Sequence, residues 1–371
     1  MTRTTRKAAF AGLAIVSSAI LLAGCGAAPE EEAGGSAAPE PADDFIPCLI
    51  SDEGGWNDRS FNQSAKEGMD RAAEELDIEA QEMESTSAND YAPNLETLVS
   101  NGCTLIISVG FNLAAATVES ANANPDVNYA IIDDYADTDF DGTTDAPNIK
   151  PLVFNTAEAA YLGGYAAAAW SAQAGGNKVG TFGGGEIPSV KVFMDGFQLG
   201  VEKYNEDKGA EVGVVGWDTE AQSGSFTGGF EANDVARQTA QGILDQGVDV
   251  ILPVGGPIYT SAAAAIRDGG QDVKLLGVDS DLAVKDPELA DITLVSILKA
   301  IDQAVFDTTI NAAGGDFDVE PYVGTLENEG VALSSFHDFE AELPEGTLDE
   351  IAALQEAIVA GDIAVESPNS P

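Results

Sequence analysis

From residue 45 onward, short apolar runs alternate with longer stretches in which apolar residues recur every three to four positions. The runs read as strands at 47–51, 77–84, 104–109, 128–132, 149–154, 178–183, 210–217, 248–254, 273–278 and 292–298. The periodic stretches read as helices at 60–76, 91–101, 112–122, 156–173, 189–206, 231–246, 258–268 and 299–313, with a last helix at 347–360. Continuous apolar strands between helices are buried on both faces, which marks a parallel, doubly wound α/β sheet. Ten strands exceed one such sheet, and residues 173–177 (QAGGN) look like a helix end followed by glycines. After them, residues 178–185 (KVGTFGGG) restart a strand and a turn, so two lobes are expected. Residues 314–346 are irregular and acidic, and 361–371 read as a frayed tail.

The stretch 51–64 (SDEGGWNDRSFNQS) lies between the first strand and the first helix. It carries two carboxylates (Asp52, Asp58), two glycines (Gly54, Gly55), a ring (Phe61) and an amide (Asn62). Turns at the carboxyl ends of parallel strands are where open α/β sheets hold ligands. Turn chemistry and helix capping account for the glycines and Ser60, but not for a large apolar ring.

The first 44 residues change the picture of where the protein works. Residues 1–7 are basic, 8–23 are small and apolar, and the run ends in Leu22-Ala23-Gly24-Cys25. This resembles a bacterial lipoprotein leader, removed before Cys25, which is then lipidated. Residues 25–44, rich in Ala, Pro, Glu and Gly, cannot bury a core and read as a flexible tether. Export makes the compartment oxidising. Cys48 opens the first strand and Cys103 precedes the third, so a disulfide between them is expected if those strands are neighbours.

From Cys25 onward the chain has 13 basic residues against 63 acidic ones, a formal charge of −50. Such a surface repels nucleic acid and anionic headgroups. Catalytic chemistry is sparse. His337 is the one histidine, no G-x-S-x-G elbow is present, and Gly183-Gly184-Gly185 meets neither phosphate-loop pattern. No enzyme activity and no cofactor are expected. Asp137, Asp139, Asp141 and Asp145 follow the spacing of a calcium loop. Asn148 stands where its bidentate Glu belongs, so an acidic surface loop is the plainer reading.

Several segments resemble the basic membrane protein family of ABC-transporter substrate-binding lipoproteins, which bind purine nucleosides. They are 51–63, 107–111 (ISVGF), 129–133 (YAIID), 157–165 (AEAAYLGGY) and 184–188 (GGEIP) with Phe193, Gly196 and Phe197. In the same order follow 247–251 (GVDVI), 277–281 (GVDSD) and 296–299 (SILK). The resemblance implies a type I periplasmic-binding fold with two lobes and three crossovers. It assigns 45–174 and 281–310 to an N-terminal lobe and 175–280 and 311–360 to a C-terminal lobe. It also implies that Phe61 and Phe193 sandwich a base and that Asn62 and Asp133 address its edge. Asp279 and Lys299 would hold the ribose, with Gly255 or Gly256 letting backbone approach; Asp52 and Asp58 shape the turn or reach the ligand. Residues 254–258 (VGGPI) have one glycine fewer than the family pattern, and Asp134 beside Asp133 leaves open which carboxylate faces the cleft.

The implied partners are a nucleoside, an ABC permease and the membrane reached through the lipid; a monomer is expected. A sensor feeding a membrane signalling partner, a receptor for another small ligand such as a sugar, and a secreted nucleoside hydrolase are the alternatives.

Overall fold

The computed structural model describes residues 39–371 apart from residues 43 and 140. The leader, Cys25 and most of the expected tether lie outside the described residues. The chain runs β1 (Pro47–Ser51), α1 (Phe61–Leu76), β2 (Gln81–Met83), α2 (Tyr91–Ser100), β3 (Leu105–Val109), α3 (Ala114–Ala123), β4 (Asn128–Ile132) and β5 (Ile149–Phe154). Then come α4 (Thr156–Ala174), β6 (Lys178–Gly183), α5 (Pro188–Lys208), β7 (Gly213–Val215), β8 (Trp217–Asp218), β9 (Ser223–Gly224), α6 (Asp234–Leu244) and β10 (Val250–Val254). The rest is α7 (Ile258–Gly269), β11 (Lys274–Asp279), α8 (Leu282–Lys285), β12 (Thr293–Lys299), α9 (Ile301–Ala313), β13 (Tyr322–Gly324), β14 (Val331–Leu333) and α10 (Thr347–Val359).

Two sheets of six strands result, ordered β13-β5-β4-β3-β1-β2 and β14-β12-β11-β10-β6-β7. Every pairing is parallel except that of β14, which runs antiparallel to β12. Allowing for the extra edge strand, both sheets share one order, second-first-third-fourth-fifth. The strand order therefore reverses between β1 and β3 in one sheet and between β6 and β10 in the other. Those two switch points open crevices at the carboxyl ends of the strands, where ligands sit in such sheets.

The chain crosses between the sheets three times: after β5, after β12, and between β13 and β14. The crossings lie side by side. Asn155 N–H donates to Gly324 O at 2.7 Å, and Ala300 N–H donates to Gly330 O at 2.9 Å.

Sheet membership corrects part of the expected lobe division. Residues 156–174 form α4, which packs on α5 and on the second sheet rather than the first. This helix is buried on nearly every face, so periodicity carries no sign of which sheet it covers. Strand β12 belongs to the second sheet and β13 to the first, while α9 returns to pack on α1. The α4–α5 approach is close. A Cβ on Gly164 would lie 2.0 Å from Phe197 O, and one on Gly200 would lie 1.9 Å from Tyr161 O.

Two strands are shorter than expected. The run at 77–84 pairs only over Gln81–Met83. The run at 210–217 breaks at Gly216, whose φ of +89° turns Trp217 and Asp218 into a small hairpin with β9. Residues 361–371 are not frayed: Ser367, Asn369 and Ser370 hydrogen-bond back onto the body. Cys48, in β1, and Cys103, just before the neighbouring strand β3, are joined, with Cα atoms 6.0 Å apart.

Candidate functional site

The nine residues proposed from the sequence as ligand-binding line one cavity between the two sheets. They are Asp52, Asp58, Phe61, Asn62, Asp133, Phe193, Gly255, Asp279 and Lys299. The cavity holds about 540 Å³ of atom-free space, counted to its mouth.

The β1–α1 turn is built by its own carboxylates. Asp58 accepts from the backbone N–H groups of Ser60 (3.0 Å), Asn62 (2.9 Å) and Gln63 (3.0 Å), so it serves the unsatisfied donors at the start of α1. Asp52 Oδ1 accepts from Gly54 N–H at 2.9 Å and from Asn62 Nδ2 at 2.7 Å. Burial pushes the Asp52 carboxyl up to about 6, against the pull of Asn62 and Gly54. Burial likewise lifts Asp58 to about 6, against its three N–H donors. With its Nδ2 committed to Asp52, Asn62 has a buried Oδ1 with no partner.

The other end of the cavity is built around Lys299, the last residue of β12. Its Nζ lies 2.7 and 2.6 Å from the two oxygens of Asp133 and 4.0 Å from Asp279 Oδ1. Asp133 follows β4 and Asp279 ends β11, the fourth strands of their respective sheets. Both adopt left-handed backbone, with φ of +66° and +65°, a conformation Asp tolerates better than most residues. Burial raises both carboxyls, and Lys299 opposes the rise in each. The resemblance separates Asp133 from the Asp279–Lys299 pair; here the three form one charge cluster. Asp133 is the carboxylate that faces the cavity. Asp134 turns into an adjoining recess, where burial lifts it to about 6.

Phe61 from the first lobe and Phe193 from α5 approach the same ammonium, with ring centroids 5.0 and 5.7 Å from Lys299 Nζ. Phe154 stands 5.1 Å from it. These are cation–π distances. The lobes also touch directly. Ser60 Oγ donates to Asp279 Oδ2 at 2.8 Å, Arg59 pairs with Asp286 at 2.7 Å, and Lys285 pairs with Glu67 at 2.5 Å.

Sequence reasoning missed Phe230, Phe111, Asn112 and Ser189, which also line the cavity. Phe230 explains the glycine run. A Cβ on Gly184 would lie 2.5 Å from its ring, and one on Gly255 would lie 2.7 Å away. The loops at the ends of β6 and β10 lack side chains because an aromatic ring occupies that space. The signal was the paired glycine loops; nothing in them named the ring.

The calcium-like loop is exposed. Asp137, Asp139 and Asp145 bring oxygens within 4.8 Å of one another, and Asp141 is not among them. Asp141 Oδ1 instead accepts from Thr143 N–H at 2.9 Å, and Asp137 Oδ2 accepts from Gly142 N–H at 2.8 Å. His337 is paired with Asp281 at 2.8 Å, away from the cavity.

Two parallel-sheet lobes, three crossings and a cavity at facing switch points define a substrate-binding protein of the type I periplasmic-binding fold. Residues 48–320 match the family described as "ABC transporter substrate-binding protein PnrA-like", and the chain belongs to that family. It is 29% identical to a CD4+ T-cell-stimulating antigen of Listeria innocua, over 96% of this chain and 97% of that one. It is 28% identical to an ABC transporter nucleoside-binding protein, BmpA, of Lactococcus lactis, over 98% and 99%. Among solved structures, a solute-binding protein of an ABC transporter system from Aeropyrum pernix superposes with a TM-score of 0.73. That pair is 27% identical, covering 86% of this chain and 92% of the other.

Proposed function

We propose that this protein is the lipid-anchored, extracytoplasmic receptor of an ABC importer and that its cleft closes on a purine nucleoside without turning it over. The observation that carries the reading is the pair Phe61 and Phe193, on opposite lobes and lining one cavity. A flat heteroaromatic base stacks on each ring, at ~0.5–1.5 kcal/mol per pair beyond the area it buries. The unpartnered Asn62 Oδ1 accepts one N–H or O–H of the ligand. Asp133 and Asp279, already steadied by Lys299, accept further donors, as ribose hydroxyls supply. Four carboxylates against one lysine make the cavity hostile to phosphate, so the nucleoside is favoured over its nucleotide. The nucleoside-binding relative in Lactococcus supports the same class of ligand.

Calorimetry with inosine, guanosine, their 5′-monophosphates and ribose tests this. The nucleosides are expected to bind and remain intact, and the monophosphates to bind far more weakly. Phe61→Ala and Phe193→Ala should each cost ~1.5–4 kcal/mol of affinity. A core role for the rings predicts instead ~3–5 kcal/mol lost from the ligand-free fold with affinity intact. Equal binding of nucleoside and monophosphate, or release of free base, would sink the proposal.

A further inference from the structure

Residues 361–371 have the composition of a loose end, yet they dock by specific chemistry. Asp195 on α5 is fully buried, and no cation pairs with it among the described residues. Its Oδ1 accepts from Trp217 Nε1 at 3.0 Å and from Gln222 Nε2 at 2.8 Å. Its Oδ2 is served by the tail, accepting from Ser367 Oγ at 2.6 Å and Asn369 Nδ2 at 2.8 Å. Asn369 Nδ2 also reaches Gln222 Oε1 at 2.7 Å. One residue on, Ser370 Oγ donates to Asn155 Oδ1 at 2.8 Å. Hydrogen bonds to a buried carboxylate are charge-assisted and stronger than neutral ones.

The two anchor points are not neutral ground. Asp195 lies two residues from Phe193 on the helix that presents this ring to the ligand cavity. Asn155 is the first crossing between lobes and follows Phe154, whose ring faces Lys299. Between the anchors, Pro368, Asn369, Ser370 and Pro371 wall a recess that shares Phe111, Asp133 and Ser189 with the ligand cavity.

We propose that residues 367–370 are a strap that positions Phe193 and the first crossing, and so sets how long ligand is retained. The strap ties the ring-bearing helix to the hinge and closes the recess behind the charge cluster. Its loss leaves Asp195 Oδ2 to water, which satisfies the carboxylate but does not link α5 to Asn155. The fold should survive while the site loosens. The ligand half of this inference rests on the nucleoside reading; the positioning half does not.

The test uses the full chain carrying Ser367→Ala with Asn369→Ala, and two readouts. Stopped-flow release of inosine should accelerate roughly tenfold, the scale of one net hydrogen bond, because water replaces the lost donors to Asp195 and only part of the loss reaches the site. Hydrogen exchange in the ligand-free variant should rise at Phe154–Thr156 and in the first turns of α5, with β1 and β3 unchanged. The conservative variant Ser367→Thr, with Asn369 kept, retains both donors to Asp195 and should leave both readouts at the parent values. Unchanged release and unchanged exchange in the double variant overturn the strap, as does release from Ser367→Thr as fast as from the double variant. If inosine does not bind the parent protein, the nucleoside reading falls. The exchange pattern alone then decides, and no rise at those segments rejects the strap.

Discussion

Asp52 illustrates what burying a carboxylate costs. Its carboxyl is raised from 3.8 to about 6 by burial, so the folded state holds its proton more tightly than the unfolded chain does. The contribution of Asp52 to stability is therefore fullest below about pH 4 and is lost as pH rises through about 6. Both of its hydrogen bonds fall on Oδ1, which an Asn can reproduce. Asp52→Asn is expected to stabilise the ligand-free protein at pH 7–8 by roughly 3 kcal/mol at most, with the gain vanishing near pH 4; melting curves across that range check it. Asp58 does not admit the same replacement, because its two oxygens share three N–H donors. At this scale the sequence was informative wherever one turn held the residues together, as for Asp52, Asp58, Phe61 and Asn62. It was silent on Asp133 against Asp134, because the backbone turns left-handed there and strand alternation no longer applies. Phe230 was illegible for another reason: its place depends on glycines in two loops distant from it in sequence.

Among the elements, strand and helix positions followed the apolar pattern closely. The failures lie where tertiary packing decides, at the short edge strands β2 and β7 and in the choice of sheet for α4. The bridge between Cys48 and Cys103 ties neighbouring strands at their amino ends, across a separation of 55 residues. It lies at the edge opposite the ligand turns. Replacing both cysteines by serine should cost ~2–4 kcal/mol of stability, read as a lower denaturation midpoint. Affinity for the proposed nucleoside should not change, since the bridge lies at the strand edge opposite the cavity; a large loss of affinity would mean that it also holds the β1–α1 turn in place.

At the scale of the whole molecule, no helix among the described residues is long and apolar enough to cross a membrane. The proposed attachment therefore rests on Cys25 and the leader before it. Cys25→Ser should leave an unprocessed precursor or release the protein into the medium, and fractionation with immunoblotting reads the outcome. A variant that is still processed and still membrane-bound would remove the anchor from the scheme. The lobes were legible as two from the restart at residue 178, but which helix covers which sheet was not, because the chain changes sides at single residues such as Asn155 and Ala300. Those changes of side have a mechanical consequence. A plate fastened at one point can tilt and spin, whereas one fastened along three adjacent knuckles can only swing. With its three crossings laced together by backbone hydrogen bonds, the protein is expected to vary a single angle, and that angle is what a membrane partner of the proposed kind would read.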